Sequence, residues 1–327
     1  MKALVQTAPE ALELRDVPNP LVPPGHHLVR IARSGICGSD MHAYLGHDAR
    51  RPTPLILGHE AAGTIEGGPR AGERVTINPL VTCGTCSACR AGRDNLCATR
   101  QIISMPPREG AFAEAVAMPD ANLVPILDDT AFAQAALAEP IACGWHTVRL
   151  ARSALDGPAT TALVIGGGAI GLGAALSLAA QGVETVTILE PNAARRATLE
   201  TTCRQTAIAP DDLDPGAQFD LVIDGVGYAA TRATASAHAR PGGVIGHIGL
   251  GEAEGGLDIR RMTLQEITFI GTYTYTAADF RETVAAITDG RLGPLDWTET
   301  RPLSEGAQAF ADIRAGAVAA PKVLLVP

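Results

Sequence analysis

The sequence predicts an α/β protein in two parts, a doubly wound parallel-sheet domain joined to a β-rich domain. Three observations predict it. Residues up to about 130 carry short apolar runs broken by Gly and Pro, the pattern of short strands. From about Leu137, apolar runs of strand length alternate with helical stretches, which suits a parallel sheet covered on both faces. A glycine-rich turn, Gly166-Gly167-Gly168-Ala169-Ile170-Gly171, stands directly between a strand-like run and a helix-like run.

In the β-rich part, strands are expected at 28–32, 63–66, 74–77 and 112–118. In the second part the apolar run 161–165 reads as a buried strand, 169–181 as a helix and 185–190 as the next strand. A charged helix at 193–203 follows, then strands at 219–224, 243–248 and 267–271. From about Ala277 the pattern is mixed again, and no internal repeat is present. A chain of 327 residues exceeds the usual size of one domain. The expected division is 1–138 with 274–327 for the β-rich domain and 139–273 for the doubly wound one, with substrate in the cleft between them.

Composition is that of a globular protein, 46% hydrophobic and 19% charged, with 35 glycines. The net charge of −9, with scattered Lys and Arg, argues against nucleic acid or an anionic membrane as partner. Met1 to Glu10 contains no apolar stretch of signal-peptide length, so the expectation is a soluble cytoplasmic protein. Residues 157–183 form 27 residues without a charge, long enough to suggest a membrane span. Pro158 and five glycines between Gly166 and Gly173 resolve that segment into strand, turn and helix instead.

Gly166, Gly168 and Gly171 give G-x-G-x-x-G, a weak motif alone in so glycine-rich a chain, but here it follows a strand and opens a helix. Gly166 permits the tight turn, Gly168 lets the backbone approach a pyrophosphate, and Gly171 lets helix and strand pack closely. Ala169 and Ile170 begin the helix, whose free N–H groups and positive dipole end suit phosphates. Glu190, nineteen residues after Gly171, can accept both hydroxyls of the adenosine ribose and would repel a 2′-phosphate. NAD is therefore expected over NADP, although Arg195 and Arg196 nearby keep NADP open.

Of seven cysteines, Cys83, Cys86, Cys89 and Cys97 fall within fifteen residues as C-x2-C-x2-C-x7-C. Without a secretory signal such a cluster reads as metal binding, and four thiolates close a structural zinc shell with no open position. A second set is dispersed: Cys37 in Gly35-Ile36-Cys37-Gly38-Ser39-Asp40, His59 in Gly58-His59-Glu60, and Glu139 in Ala138-Glu139-Pro140. Spacing alone cannot unite those three.

The motifs G-I-C-G-S-D-x-H, G-H-E-x-x-G, the four-cysteine lobe and the glycine turn occur in that order. Together they resemble the zinc-containing medium-chain dehydrogenase/reductase superfamily over essentially the whole chain. Glu139-Pro140, where classical alcohol dehydrogenases place a second cysteine ligand, is more similar to the sorbitol (L-iditol)/polyol and threonine dehydrogenase branch. The resemblance implies a Rossmann-like nucleotide domain and a GroES-like catalytic domain. It implies that Cys37, His59 and Glu139 hold a catalytic zinc, with Glu60 ligating directly or through water and Cys143 a rival ligand. It assigns Ser39 and His42 to a proton relay. Two zinc ions per chain, NAD, and a homodimer or homotetramer follow from the same resemblance. The implied reaction moves a hydride from a secondary alcohol or polyol to NAD, giving a ketone. Threonine-type or simple alcohol dehydrogenase activity is the alternative; a non-catalytic cofactor-binding protein would be expected to lack the Cys/His/Glu set.

Three departures leave the substrate open. The connection 67–75 is shorter than in most relatives. In the stretch 271–275, Tyr275 keeps the tyrosine of an Arg-Tyr pair of sorbitol-type enzymes, but Thr274 replaces the arginine. Ala43 stands where those enzymes carry an aromatic residue. If 273–275 continue a strand, Tyr273 and Tyr275 share one face.

Overall fold

The computed structural model describes residues 1–327. The chain divides into two compact units, residues 1–139 with 276–289 and 298–327, and residues 140–275 with 290–297.

The first unit is built on a seven-stranded sheet. Its strands run in the order Leu123–Pro125, Arg74–Ile77, Glu60–Glu66, His26–Gly35, Lys322–Val326 and Thr298–Pro302, with Ala115–Pro119 also pairing with His26–Gly35. Along His26–Gly35, Val29 and Ile31 point into the core while Arg30 faces water and reaches Glu66 on the neighbouring strand. That alternation is the period-2 signature of a half-buried strand. A register shift between Ile31 and Arg33 then resets the pairing so that Gly35 stands opposite Glu60. Gly63 is required here by space, since a Cβ would lie 2.0 Å from the carbonyl oxygen of Arg30.

The expected strand 112–118 is observed as Ala115–Pro119. Phe112 instead crosses to a second, three-stranded sheet, exchanging backbone bonds with Leu4 and Leu57, and its ring is fully buried. The short connection 67–75 closes a hairpin between Glu60–Glu66 and Arg74–Ile77.

The second unit carries six parallel strands in the order Thr206–Ile208, Thr185–Leu189, Thr161–Ile165, Phe219–Asp224, Ala239–His247 and Thr268–Gly271. Leu163, Val164, Val222 and Ile223 at its centre are wholly inaccessible, because helices cover both faces. Each such side chain contributes roughly 1.5–3 kcal/mol by leaving water. The sequence order reverses between Thr161–Ile165 and Phe219–Asp224, and a crevice at the carboxyl ends of such strands takes the ligand in open α/β sheets. Helices Ala138–Ala154 and Ala169–Ala180 pack closely because Gly144 has no Cβ, which would otherwise meet the Ala174 nitrogen at 2.5 Å. No helix is long and apolar enough to cross a membrane.

Two expectations need correction. The strand expected at 243–248 begins four residues earlier, as Ala239–His247. The last strand ends at Gly271, so Tyr273 and Tyr275 are not alternating strand residues. Thr274 takes φ +46°, a left-handed conformation that breaks the extended chain. Tyr275 is buried, at 1% exposure, while Tyr273 is half-buried.

Candidate active site

The first cluster is set by a short helix and three adjacent strands. Cys37 caps helix Gly38–Tyr44, and its N–H donates to Asp40 Oδ2 at 3.0 Å. Asp40 is fully buried, and its other oxygen receives the Gly58 N–H at 3.3 Å and lies 3.3 Å from His59 Nδ1. Gly58 takes φ +91° with the Phe112 ring beneath it, where a Cβ would come within 2.4 Å. This fixes the turn that delivers His59. Burial pushes the Asp40 carboxyl up. The charge and hydrogen bond of His59, the charge of Arg51 and the Cys37 N–H outweigh it, so the carboxyl stays below its ordinary value.

The ligand atoms of Cys37, His59 and Glu60 lie within 4.8 Å of one another. Glu60, expected to ligate directly or through water, is the carboxylate in this cluster. Glu139 is buried in the first turn of Ala138–Ala154 but lies outside that cluster, and so does Cys143. Glu60 takes the place beside His59 because strand register sets it against Gly35, two residues before Cys37. Ser39 Oγ stands 3.5 Å from His59 Nε2, and His42 is exposed one helical turn on.

Three further residues complete the surroundings, and no sequence motif pointed to them. Arg51 is buried and donates to the carbonyls of Ser39 at 2.6 Å and Ser104 at 3.0 Å. Ser104, at φ +70°, places its hydroxyl 3.4 Å from His59 Nδ1. Lys322, on the C-terminal strand, donates to Glu60 Oε1 at 2.6 Å. Burial would pull the Lys322 ammonium down, but Glu60, Cys37 and Glu139 hold it above its ordinary value.

The donor set fits a divalent metal. Cys37, His59 and Glu60 offer a sulfur, a ring nitrogen and a carboxylate oxygen, the donor types that zinc takes. Glu60 Oε2 is also buried without a hydrogen-bond partner, as a ligating oxygen would be.

The four-cysteine lobe is a second group that could hold a metal ion. The sulfurs of Cys83 and Cys89 are 3.9 Å apart, those of Cys86 and Cys89 3.5 Å, and those of Cys97 and Cys83 3.5 Å. A tetrahedron with zinc–sulfur bonds of ~2.3 Å has edges of about 3.8 Å, so these separations suit zinc. The N–H groups of Thr85 and Cys86 lower the Cys83 thiol to about 5. None of the seven cysteines is in a disulfide.

In the second unit, Gly166 takes φ +97°, and a Cβ on Gly171 would lie 1.8 Å from the Gly166 oxygen. Nothing lies within 4 Å of the Cβ direction at Gly168, which caps helix Ala169–Ala180 in extended conformation and leaves the first N–H groups open. The Glu190 carboxylate is fixed beside this turn, accepting from the Gly167 N–H at 2.9 Å and the Asn192 N–H at 2.8 Å. Arg195 Nη1 approaches it at 3.5 Å, while Arg196 is tied to the carbonyls of Glu190 and Pro191 at 2.8 Å. Asp224, which sequence reasoning also missed, accepts from the N–H groups of Val226 and Gly227 at 2.9 Å and shapes the loop facing the glycine turn. Carboxylate and open helix start are the residues that could hold a dinucleotide.

The family model described as the alcohol dehydrogenase GroES-like domain matches residues 23–128, and that described as zinc-binding dehydrogenase matches residues 169–289. A probable D-xylulose reductase A of Neosartorya fischeri is 30% identical over 93% of this chain and 90% of that protein. This chain belongs to the zinc-containing medium-chain dehydrogenase/reductase superfamily. Within that superfamily, a sorbitol dehydrogenase of Bacillus subtilis is 32% identical, covering 84% of this chain and 82% of its own. Among solved structures, alcohol dehydrogenase TADH from Thermus sp. ATN1 matches with a TM-score of 0.88 at 26% identity, covering 100% of this dehydrogenase and 99% of that chain. Galactitol-1-phosphate dehydrogenase from Escherichia coli matches with a TM-score of 0.89 at 25% identity, covering 100% of both chains.

Proposed function

We propose that this dehydrogenase oxidises a secondary hydroxyl of a polyol to a ketone, with NAD as hydride acceptor. The observation that carries the reading is the convergence of Cys37, His59 and Glu60 on one point beside Ser39. Relatives named for sorbitol, D-altritol and D-xylulose support the polyol class.

Cys37, His59 and Glu60 would hold the zinc, with Glu139 as the reserve carboxylate. Zinc supplies the Lewis acidity that brings a hydroxyl within reach of neutral-pH deprotonation, and NAD accepts the hydride. Asp40 holds the His59 ring through Nδ1 and leaves Nε2 for the metal. Ser39 Oγ would accept the proton of the substrate hydroxyl while handing its own hydrogen on toward exposed His42 and solvent. Glu190 favours NAD over NADP, because its fixed carboxylate pairs with ribose hydroxyls and repels a phosphate there. A cytoplasmic homodimer or homotetramer fits the resemblance.

The test is NAD reduction across a panel of polyols, simple secondary alcohols and amino alcohols, with and without a chelator. The reading expects polyols to give the highest kcat/KM and chelation to abolish it. Turnover untouched by metal removal, or confined to amino alcohols, would overturn it.

A further inference from the structure

Residues 249–256 follow the strand Ala239–His247 at the carboxyl edge of the parallel sheet. Gly249, Gly251, Gly255 and Gly256 make half of this segment, and neither helix nor strand runs through it. Such a stretch has little of its own to hold one shape. Arg232, on helix Ala229–His238, holds it instead. Its buried guanidinium donates to the carbonyls of Gly227 at 2.8 Å, Glu252 at 3.0 Å, Gly255 at 2.6 Å and Glu254. One planar fork thus joins three carbonyls of the segment to a fourth in the loop 225–227. The backbone repeats the join, the Gly251 N–H donating to the Val226 carbonyl at 3.1 Å and the Glu252 N–H to the Gly227 carbonyl at 2.8 Å. Loop 225–227 in turn rests on the glycine turn. A Cβ on Gly225 would lie 3.2 Å from the Gly171 nitrogen, and one on Gly166 2.5 Å from Val226 Cγ2.

The order of the strands says which half of a dinucleotide this layer meets. Glu190 follows Thr185–Leu189 on one side of Thr161–Ile165, while Phe219–Asp224 and Ala239–His247 lie on the other. With the adenosine ribose on Glu190 and the pyrophosphate on the glycine turn, the nicotinamide half runs toward 225–227 and 249–256. We propose that Arg232 is a positioning residue that holds 249–256 ready for the nicotinamide half before the cofactor binds. The inference rests on the NAD-dehydrogenase reading and goes beyond it. Without the guanidinium, the incoming cofactor must order a glycine-rich segment itself, and that ordering weakens binding. The adenosine half is indifferent, because Glu190 is fixed by the Gly167 and Asn192 N–H groups. An arginine that served the fold alone would, when lost, weaken both halves alike or neither.

The experiment compares Arg232→Met and Arg232→Lys with the wild type. Calorimetry measures binding of NADH and of ADP-ribose, which lacks the nicotinamide, and backbone hydrogen exchange follows the segment. Arg232→Met is expected to raise Kd for NADH about tenfold and to leave Kd for ADP-ribose unchanged. Exchange across 249–256 should quicken, while that of Leu221–Ile223 in the central strand stays slow. Arg232→Lys, which cannot span four carbonyls, should fall between the two. An unchanged Kd for NADH in Arg232→Met, or an equal loss for NADH and ADP-ribose, overturns the inference. Should Arg232→Met not fold, hydrogen exchange of the wild type decides. NADH must then slow exchange across 249–256 more than ADP-ribose does, and equal protection by the two overturns the proposal. A wild type that binds neither ligand overturns the NAD reading itself and this inference with it.

Discussion

Arg51 donates to the backbone carbonyl of Ser39 at 2.6 Å from a fully enclosed guanidinium. The same group holds the carbonyl of Ser104, so one side chain fixes the two residues whose hydroxyls face opposite nitrogens of His59. Lysine keeps the charge but not the planar fork. Arg51→Lys should lower kcat by about tenfold to a hundredfold and leave KM for NAD unchanged. Ser39→Ala should lower turnover further at neutral pH while leaving cofactor affinity intact. Steady-state kinetics checks both; unaltered turnover in Ser39→Ala would remove Ser39 from the proton path.

Glu190 is held by two backbone N–H groups before any cofactor arrives. Glu190→Ala should raise KM for NAD and narrow its preference over NADP. Two lost ribose hydrogen bonds at about 1 kcal/mol each amount to roughly a thirtyfold change in discrimination. The ratio of kcat/KM for the two cofactors measures it. The same variant strands the Gly167 and Asn192 donors, so a modest fall in Tm accompanies the kinetic change.

The seven free thiols fall into two populations. Burial pushes the Cys203 thiol up to about 11, and Cys143 is also buried. In the zinc-loaded protein none should react readily with a thiol reagent. Chelation should make four reactive, Cys37, Cys83, Cys86 and Cys89, leaving buried Cys97, Cys143 and Cys203 silent until the chain unfolds. Cys97→Ser should halve the zinc content from two ions to one, measured by metal analysis, and lower Tm. A zinc content unchanged by that substitution would contradict the four-sulfur shell.

Asp220 ties together the starts of two strands. Burial pushes its carboxyl up, but Arg240 and the N–H groups of Thr161 and Thr160 outweigh burial and hold it well below the usual carboxylate range. A depressed folded value means that its stabilisation is complete above the unfolded pKa, about 3.9. It is lost as pH falls through the folded value. Between pH 7 and 5 the wild type should show no loss from this group, and below about pH 4 its unfolding midpoint should fall. Asp220→Asn should be less stable at pH 7 and less sensitive to acid below pH 4, read by urea unfolding at several pH values.

The elements that carry local signals were legible in the chain itself. The period of apolar residues gives the buried strand Thr161–Ile165 and the helix after it, and the glycine turn gives its own conformation, because close approach and positive φ leave few alternatives. The four-cysteine lobe is equally local, since fifteen residues suffice to bring its sulfurs together. Tyr273 and Tyr275 run against expectation for the converse reason: the strand stops at Gly271 and Thr274 beyond it turns left-handed, neither of which leaves a sequence signal.

By itself, then, the sequence determined the two kinds of unit, the glycine turn and the four-cysteine lobe, while Cys37, His59 and Ser39 were singled out only by resemblance. Only the tertiary structure decided which carboxylate stands beside His59, and that Arg51, Ser104 and Lys322 surround it. The place of Glu60 depends on the register of its strand against Gly35, and that of Lys322 on a strand from the far end of the chain that pairs with His26–Gly35. A shift of one residue would turn Glu60 away from Cys37 without changing any local preference.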